Sequence, residues 1–224
     1  MVSVLPVSFF SVSSHADGRR ACGQIFSKTA GRNQSAEIKA EENGYRYYVG
    51  SVEANMIFET ERLYLREMEQ SDYEALCKIL QDQDAMYAYE GAFGDDEVQE
   101  WLDRQIARYQ KWGFGLWAVV LKENGEMIGK CGLTVQPWKE DEVLEIGYLF
   151  QRSYWHRGYA VEAAKACKKY AFETLKAKEV CSIIRDTNTA SQKVAMRNGM
   201  TRKDMWIKHY KGVDMPHYRY VVWR

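Results

Sequence analysis

An apolar strand at residues 143–150 runs into the loop Gln151-Arg152-Ser153-Tyr154-Trp155-His156-Arg157-Gly158-Tyr159-Ala160, and then into a helix at about 158–175. This junction limits the fold more tightly than any other stretch. Gly158 lets the backbone approach a ligand, and Ala160 adds almost no side chain. The free N–H groups of residues 156–160 would then point together from the positive end of the helix. Such a cradle takes a pyrophosphate without needing a lysine. It has neither the GKS/T of a Walker loop nor the GxGxxG of a dinucleotide site. On its own, a glycine at a strand–helix turn also reads as a plain turn. The helix favours the anion reading. Ala160, Ala163, Ala164, Cys167, Tyr170 and Ala171 share one face and let it sit close to a sheet, while Lys165, Lys168, Lys169 and Lys176 lie mostly opposite.

The elements on either side are regular. Leu63, Leu65 and, slipping, Met68 alternate with Arg62, Tyr64 and Arg66 as in a strand. Ser71 or Asp72 caps a helix with Tyr73, Leu76, Ile79 and Leu80 on one side. Val98, Trp101, Leu102, Ile106 and Tyr109 mark a helix at about 95–112, opened by Asp95, Asp96 and Glu97 and stopped by Gly113 and Gly115. Strands follow at 116–121, 127–135 and 143–150, with Asn124-Gly125 as the first turn. After the loop and its helix come a strand at 180–184, a short helix at about 190–198 ending at Gly199, and strands near 205–210 and 218–223 joined through Gly212. An antiparallel middle flanked by helical crossovers predicts a mixed sheet in an α/β or α+β domain.

Residues 1–55 show no sustained period of 2 or 3.6. Residues 1–10 are apolar and Ser14-His15-Ala16 has the small-x-small shape of a cleavage site. No Lys or Arg precedes that run, and Pro6 and four serines interrupt it, which argues against a secretory signal. The expectation is a loosely ordered extension over 1–55, with Met56 a candidate native start, and one globular domain over 56–224. Lys and Arg total 31 against 31 Asp and Glu, a balance that argues against a nucleic-acid binder. No apolar run is long enough to span a bilayer. Cys22, Cys77, Cys131, Cys167 and Cys181 are odd in number, form no CxxC and do not cluster with His15, His156, His209 or His217. Neither a structural metal site nor a disulfide framework is expected, and reduced thiols predict a cytoplasmic protein.

Trp155-His156-Arg157-Gly158-Tyr159-Ala160 resembles motif A (Q/R-x-x-G-x-G/A) of the GNAT superfamily of acetyl-CoA-dependent N-acetyltransferases. It is most similar to the RimJ/RimL-like branch, in which Trp often stands at the first position. A second signature, Asn188-Thr189-Ala190-Ser191-Gln192-Lys193-Val194-Ala195-Met196-Arg197-Asn198-Gly199-Met200, follows at the family's separation. Thr60-Glu61-Arg62-Leu63-Tyr64-Leu65-Arg66 and Leu144-Glu145-Ile146-Gly147-Tyr148-Leu149-Phe150 match as well. The resemblance runs from about Met56 to the C-terminus. It implies a mostly antiparallel sheet, flanked by helices and splayed between its fourth and fifth strands, with acetyl-CoA in the opening as co-substrate and no metal. By position it implies that Leu149 and Phe150 pair with the pantetheine arm. The amides of His156, Arg157, Gly158, Tyr159 and Ala160 would hold the pyrophosphate, Asn188 the pantetheine, and Lys193 the nucleotide phosphates. The sequence departs from the pattern twice. His156 stands where this branch often has Gly, and Ala195 stands where many members have a Tyr as general acid.

Direct acetylation of an amine needs a base for the ammonium, polarisation of the thioester oxygen and a donor for the leaving thiolate. With no Tyr at 195, Ser191 is the candidate donor, matching the Ser proposed for this role in that branch. The alternative for Ser191 is a first-turn serine bonded to its own backbone. Glu145, set in an apolar strand, is the candidate base, acting directly or through water; the alternative is an outward-facing or paired Glu. A backbone N–H near Leu149–Phe150 would polarise the carbonyl. Tyr148, His209 and Tyr210 rank lower. Residues 59–103 hold 14 Asp/Glu against 3 Lys/Arg, and 193–224 hold 8 Lys/Arg against 2 Asp/Glu. If not simply a solvated helix face, the acidic stretch would draw a cationic amine such as a polyamine, an aminoglycoside or a basic peptide. A protein N-terminus is the rival acceptor. Tyr87, Tyr89, Phe93 and Trp138 would line such a pocket or lie in the core. The partner expected is thus the amine substrate, with no nucleic acid or membrane, and a homodimer is compatible with the sequence. The competing class is a non-catalytic acyl-CoA-binding module, which would keep the cradle without needing Glu145 or Ser191.

Overall fold

The computed structural model describes residues 37–42, 45–49, 56–89, 91–210 and 212–224. The strands are β1 (Glu37–Glu42), β2 (Tyr45–Val49), β3 (Met56–Glu59), β4 (Leu63–Arg66), β5 (Leu116–Leu121), β6 (Met127–Trp138), β7 (Asp141–Phe150), β8 (Glu179–Arg185), β9 (Thr201–Tyr210) and β10 (Val213–Trp223). The helices are α1 (Tyr73–Leu80), α2 (Asp95–Trp112), α3 (Tyr159–Glu173) and α4 (Thr189–Arg197). The sheet order is β1-β2-β3-β4-β5-β6-β7-β8-β10-β9. Neighbours pair antiparallel except β7 and β8, which run parallel. β1 and β2 fall inside the stretch where the sequence shows no sustained period. The expected features of residues 1–36 lie outside the described residues. Among those described, no helix is long and apolar enough to cross a membrane.

α2 shows why these residues form these elements. Val98, Trp101, Leu102, Gln105 and Tyr109 are buried at helical spacing, and three carboxylates occupy the first turn. Glu97 Oε2 accepts the Gly94 N–H at 2.9 Å. Gly113 ends the helix at φ +73°, the left-handed conformation that costs glycine nothing. α1 packs on α2 and β6. Its start is set by a three-residue 3-10 turn at Gln70–Asp72 rather than by a plain cap. There Asp72 accepts the Glu69 N–H at 2.9 Å and holds Arg66 through two bonds of 2.7 Å.

α3 covers the other face. Ala163, Ala164, Ala166, Cys167 and Ala171 are buried, and the small side chains bring Cys167 Sγ to 3.5 Å from Cys131 Sγ on β6. Side chains alternate along a strand, so these contacts sort the sheet's two faces. Cys131 faces α3. Lys130, its neighbour, faces α2, with its ammonium over the Trp101 ring. Tyr89 and Phe93 are buried in the main core, whereas Tyr87 is exposed. Trp138 lies in a smaller cluster with Val143, Cys181, Ile183 and Val221.

Candidate active site

β7 is fully paired on one side and nearly unpaired on the other. Its ladder with β6 runs unbroken from Gly129↔Phe150 to Trp138↔Asp141. With β8 it shares one position, Glu145↔Cys181, beyond which the two strands part. The Gln151 N–H donates to Ile128 O at 2.9 Å. An antiparallel ladder alternates, so 149 and 147 also spend their backbone groups on β6, while 150, 148 and 146 face the gap. Ser182 Oγ donates to Ile146 O, and the Trp155 indole donates to Phe150 O, both at 2.8 Å. Among the described residues, that leaves the Tyr148 N–H and C=O and the Phe150 N–H without partners. Phe150 thus faces the gap. Leu149 belongs to the β6 side, and Tyr148 takes its place along the opening.

At the mouth of the gap the loop enters α3. His156 sits at φ +63° and Gly158 at φ +85°. No backbone acceptor takes the N–H groups of His156, Arg157 or Gly158 among the described residues. Those of Tyr159 and Ala160, in the first turn, have no partner inside the helix. Together they form a concave row of donors at a helix N-terminus. A latch fixes its aim. Glu162 Oε1 accepts from Thr60 Oγ1 at 2.6 Å and from the Arg62 N–H at 3.0 Å, while Arg62 Nε donates to Oε2 at 2.7 Å. Burial alone would raise the Glu162 pKa, but the Thr60 and Arg62 hydrogen bonds outweigh it and the pKa is lowered. Arg62 also donates to Arg157 O at 3.0 Å. Arg157 and Lys193 are exposed, with the Arg157 guanidinium 5.5 Å from the Tyr154 ring centroid.

α4 borders the gap on the α3 side of the sheet. Asn188 is buried and caps this helix, its Oδ1 accepting the Ser191 N–H at 3.1 Å. The Tyr148 hydroxyl donates to Ser191 O at 3.0 Å, and burial raises the Tyr148 pKa. Ser191 Oγ is buried and has no hydrogen-bond partner among the described residues. It is therefore not a first-turn serine satisfied by its own helix.

Glu145 projects from the opposite face. Thr134 Oγ1, on the Lys130 side of β6, lies 3.5 Å from Glu145 Oε2, and the Ile183 N–H donates to Oε1 at 3.2 Å. The side chain is 1% exposed, which excludes an outward-facing role. Burial raises its pKa to about 8, against the opposing pull of Lys208, the Ile183 N–H, Thr134 and Arg108. The carboxylates of 59–103 behave differently. Arg152 pairs with Asp82 at 2.6 Å and Asp84 at 2.5 Å, Arg66 with Asp72 at 2.7 Å, and Lys122 with Glu59 at 2.9 Å. These ion pairs hold four of the fourteen carboxylates in that stretch, two of them through the single cation Arg152. His209 is exposed and pairs with Asp214. The side chain of Tyr210 lies outside the described residues. Sequence reasoning passed over Lys130 and Arg108. The signal for Lys130 was a lone cation within an apolar strand.

A family model for the "Acetyltransferase (GNAT) domain" matches residues 62–201. The chain is similar to YkkB of Bacillus subtilis, an uncharacterized protein, with 37% identity over 142 residues, 63% of this chain and 83% of that one. It is also similar to YnaD of the same bacterium, an uncharacterized N-acetyltransferase, with 26% identity over 150 residues, 66% of this chain and 85% of that one. Among solved structures, a GNAT-family acetyltransferase from Bacillus anthracis superposes with a TM-score of 0.64 at 26% identity, covering 74% of this chain and 96% of that one.

Proposed function

The chain belongs to the GNAT family of acetyltransferases, and on that premise we propose that it passes an acetyl group from acetyl-CoA directly to a primary amine held on the α2 side of the sheet. One observation carries this reading: at a single break in the sheet, β7 turns a buried carboxyl to one face and borders a buried, unsatisfied hydroxyl on the other. A module that only binds acyl-CoA has use for the hydroxyl side but none for a costly buried Glu145.

The residues fit the co-substrate. The amides of residues 156–160 offer donors for a pyrophosphate, and the vacant backbone groups of Tyr148 and Phe150 match an arm that adds like a strand. Asn188, already the cap of α4, borders the same arm, and Arg157 and Lys193 meet the nucleotide phosphates. When bound, acetyl-CoA supplies an activated acetyl group and a thiolate leaving group. Glu145 takes one proton of the acceptor ammonium, which frees the nitrogen lone pair to form the new C–N bond as the C–S bond breaks, and the second proton shed by the nitrogen passes to the departing thiolate. The Phe150 N–H polarises the carbonyl, and the Ser191 hydroxyl donates a hydrogen bond to the departing sulfur. Trp155, the residue on which the resemblance to the RimJ/RimL-like branch rests, holds the Phe150 carbonyl so that strand and loop keep one geometry.

Calorimetry with coenzyme A and thiol release from acetyl-CoA over a panel of amines test the reading. Binding with amine-dependent thiol release supports it. Binding without release on any amine favours the acyl-CoA-binding module, and no binding removes both.

A further inference from the structure

We propose that the acceptor carries a carboxylate within a few bonds of its amine, and that Arg108 of α2 and Lys130 of β6 receive that carboxylate. This narrows the substrate of the acetyl-transfer reading and rests on it. Lys130 is 1% exposed, and no carboxylate lies in ion-pair contact with it among the described residues. Its ammonium stands 3.7 Å from the Trp101 ring centroid, an attraction that offsets only part of the lost hydration. Arg108 repels the amine of Lys130 and attracts the carboxyl of Glu145. Its Nη1 is buried and has no hydrogen-bond partner among the described residues. A buried guanidinium edge with an unspent donor is shaped for a carboxylate.

The surroundings favour an anion. Burial and Arg108 push the Lys130 pKa well below its ordinary value, and burial followed by Arg104 lowers that of Arg108. A bound carboxylate would reverse both. Glu145 faces the cluster from β7, Lys208 from β9 and Arg104 from the preceding turn of α2. Arg108 and Lys208 both pull on the carboxyl of Glu145, and Arg108 also faces the amine of Lys130. A polyamine or aminoglycoside would bring further positive charge against them. A zwitterion places its ammonium at Glu145 and its carboxylate at Arg108 and Lys130. Leu149 pairs with Lys130, and Glu145 follows on the same face about 13 Å along the strand, an interval the long Arg108 and Lys130 side chains can shorten.

The test is thiol release with each of the twenty amino acids against its own amide, with spermidine alongside. An amide's amine is the less basic, so it deprotonates more readily, and a preference for the acid cannot come from basicity. The expected result is at least one acid exceeding its amide about tenfold or more in kcat/KM, the scale of a charge-assisted hydrogen bond. Lys130→Met and Arg108→Gln should each raise KM for that acid and bring the acid-to-amide ratio toward one. Coenzyme A affinity reports that each variant is folded. Amides or spermidine used as well as the acids overturns the proposal. So does a failure of every amino acid while coenzyme A still binds. Loss of coenzyme A binding by the unaltered protein instead brings down the acetyl-transfer reading beneath it.

Discussion

Glu145 keeps a proton at neutral pH that a surface glutamate would have lost. Its pKa of about 8 arises chiefly from burial, so only the fraction ionised near and above that pH can accept a proton. Turnover should therefore climb with pH and level off above about 8. Glu145→Gln should flatten that climb and cut kcat by about 10²–10⁴, with coenzyme A affinity unchanged, as steady-state kinetics and calorimetry would show. An unaltered pH profile in the variant would remove Glu145 as the base. Ser191 makes a different case. Its hydroxyl is buried without a partner, and leaving such a group dry costs about 1–3 kcal/mol. Ser191→Ala should thus slow thiol release while leaving the melting temperature unchanged or higher. A loss of stability instead would mean that the hydroxyl holds the fold and not the leaving sulfur.

Elements were more legible in the sequence than contacts. The spacing from Val98 to Tyr109 and the carboxylates before it place α2 at its observed bounds, Asp95–Trp112. The small face of the helix after Gly158 is the face that packs, because only small residues admit the close approach to β6. Two things stayed hidden. The vacant edge of β7 belongs to Tyr148 and Phe150 through a parity set by one bond, Gln151 to Ile128, which no local pattern encodes. Lys130 hid in an apolar run because its partners, Trp101 and Arg108, come from a helix twenty or more residues earlier. The turn before α3 was legible from Gly158, but its backbone strain at His156 was not. His156 at φ +63° occupies a region that costs a non-glycine residue about 1–2 kcal/mol. His156→Gly should raise stability by about 1 kcal/mol in denaturant melts and leave coenzyme A affinity intact, since the donors are backbone. Gly158→Ala should do the reverse. It puts a side chain at φ +85°, 3.4 Å from Arg62 Nη2 in the latch that aims the helix, so coenzyme A binding should weaken. Equal affinities for the two variants would mean that the loop is not the pyrophosphate site.

At the scale of the whole molecule, some of the charge separated along the sequence is rejoined in space. Arg152 in the loop before α3 reaches back to Asp82 and Asp84 after α1, so two carboxylates of the acidic stretch help hold that loop. The buried titratable groups set how stability follows pH. The Glu145 pKa rises from 4.5 unfolded to about 8 folded, so the folded state binds a proton that the unfolded chain releases across that range. Its contribution to stability is complete below about 4.5 and is lost as pH rises through about 8. His217 runs the other way. Burial lowers its pKa from 6.5 to about 4, so its contribution is present above 6.5 and is lost as pH falls toward 4. The two together predict a stability maximum on the acid side of neutrality. Glu145→Gln cannot ionise and lacks the falling limb. Its melting temperature should exceed that of the unaltered protein by a margin that grows from pH 5 to 8 and then holds constant. Thermal melts of both proteins across pH 5–9 measure that margin. Parallel curves would mean that Glu145 is already ionised at neutral pH in the folded state, and the rate profile expected above would shift toward acid with it.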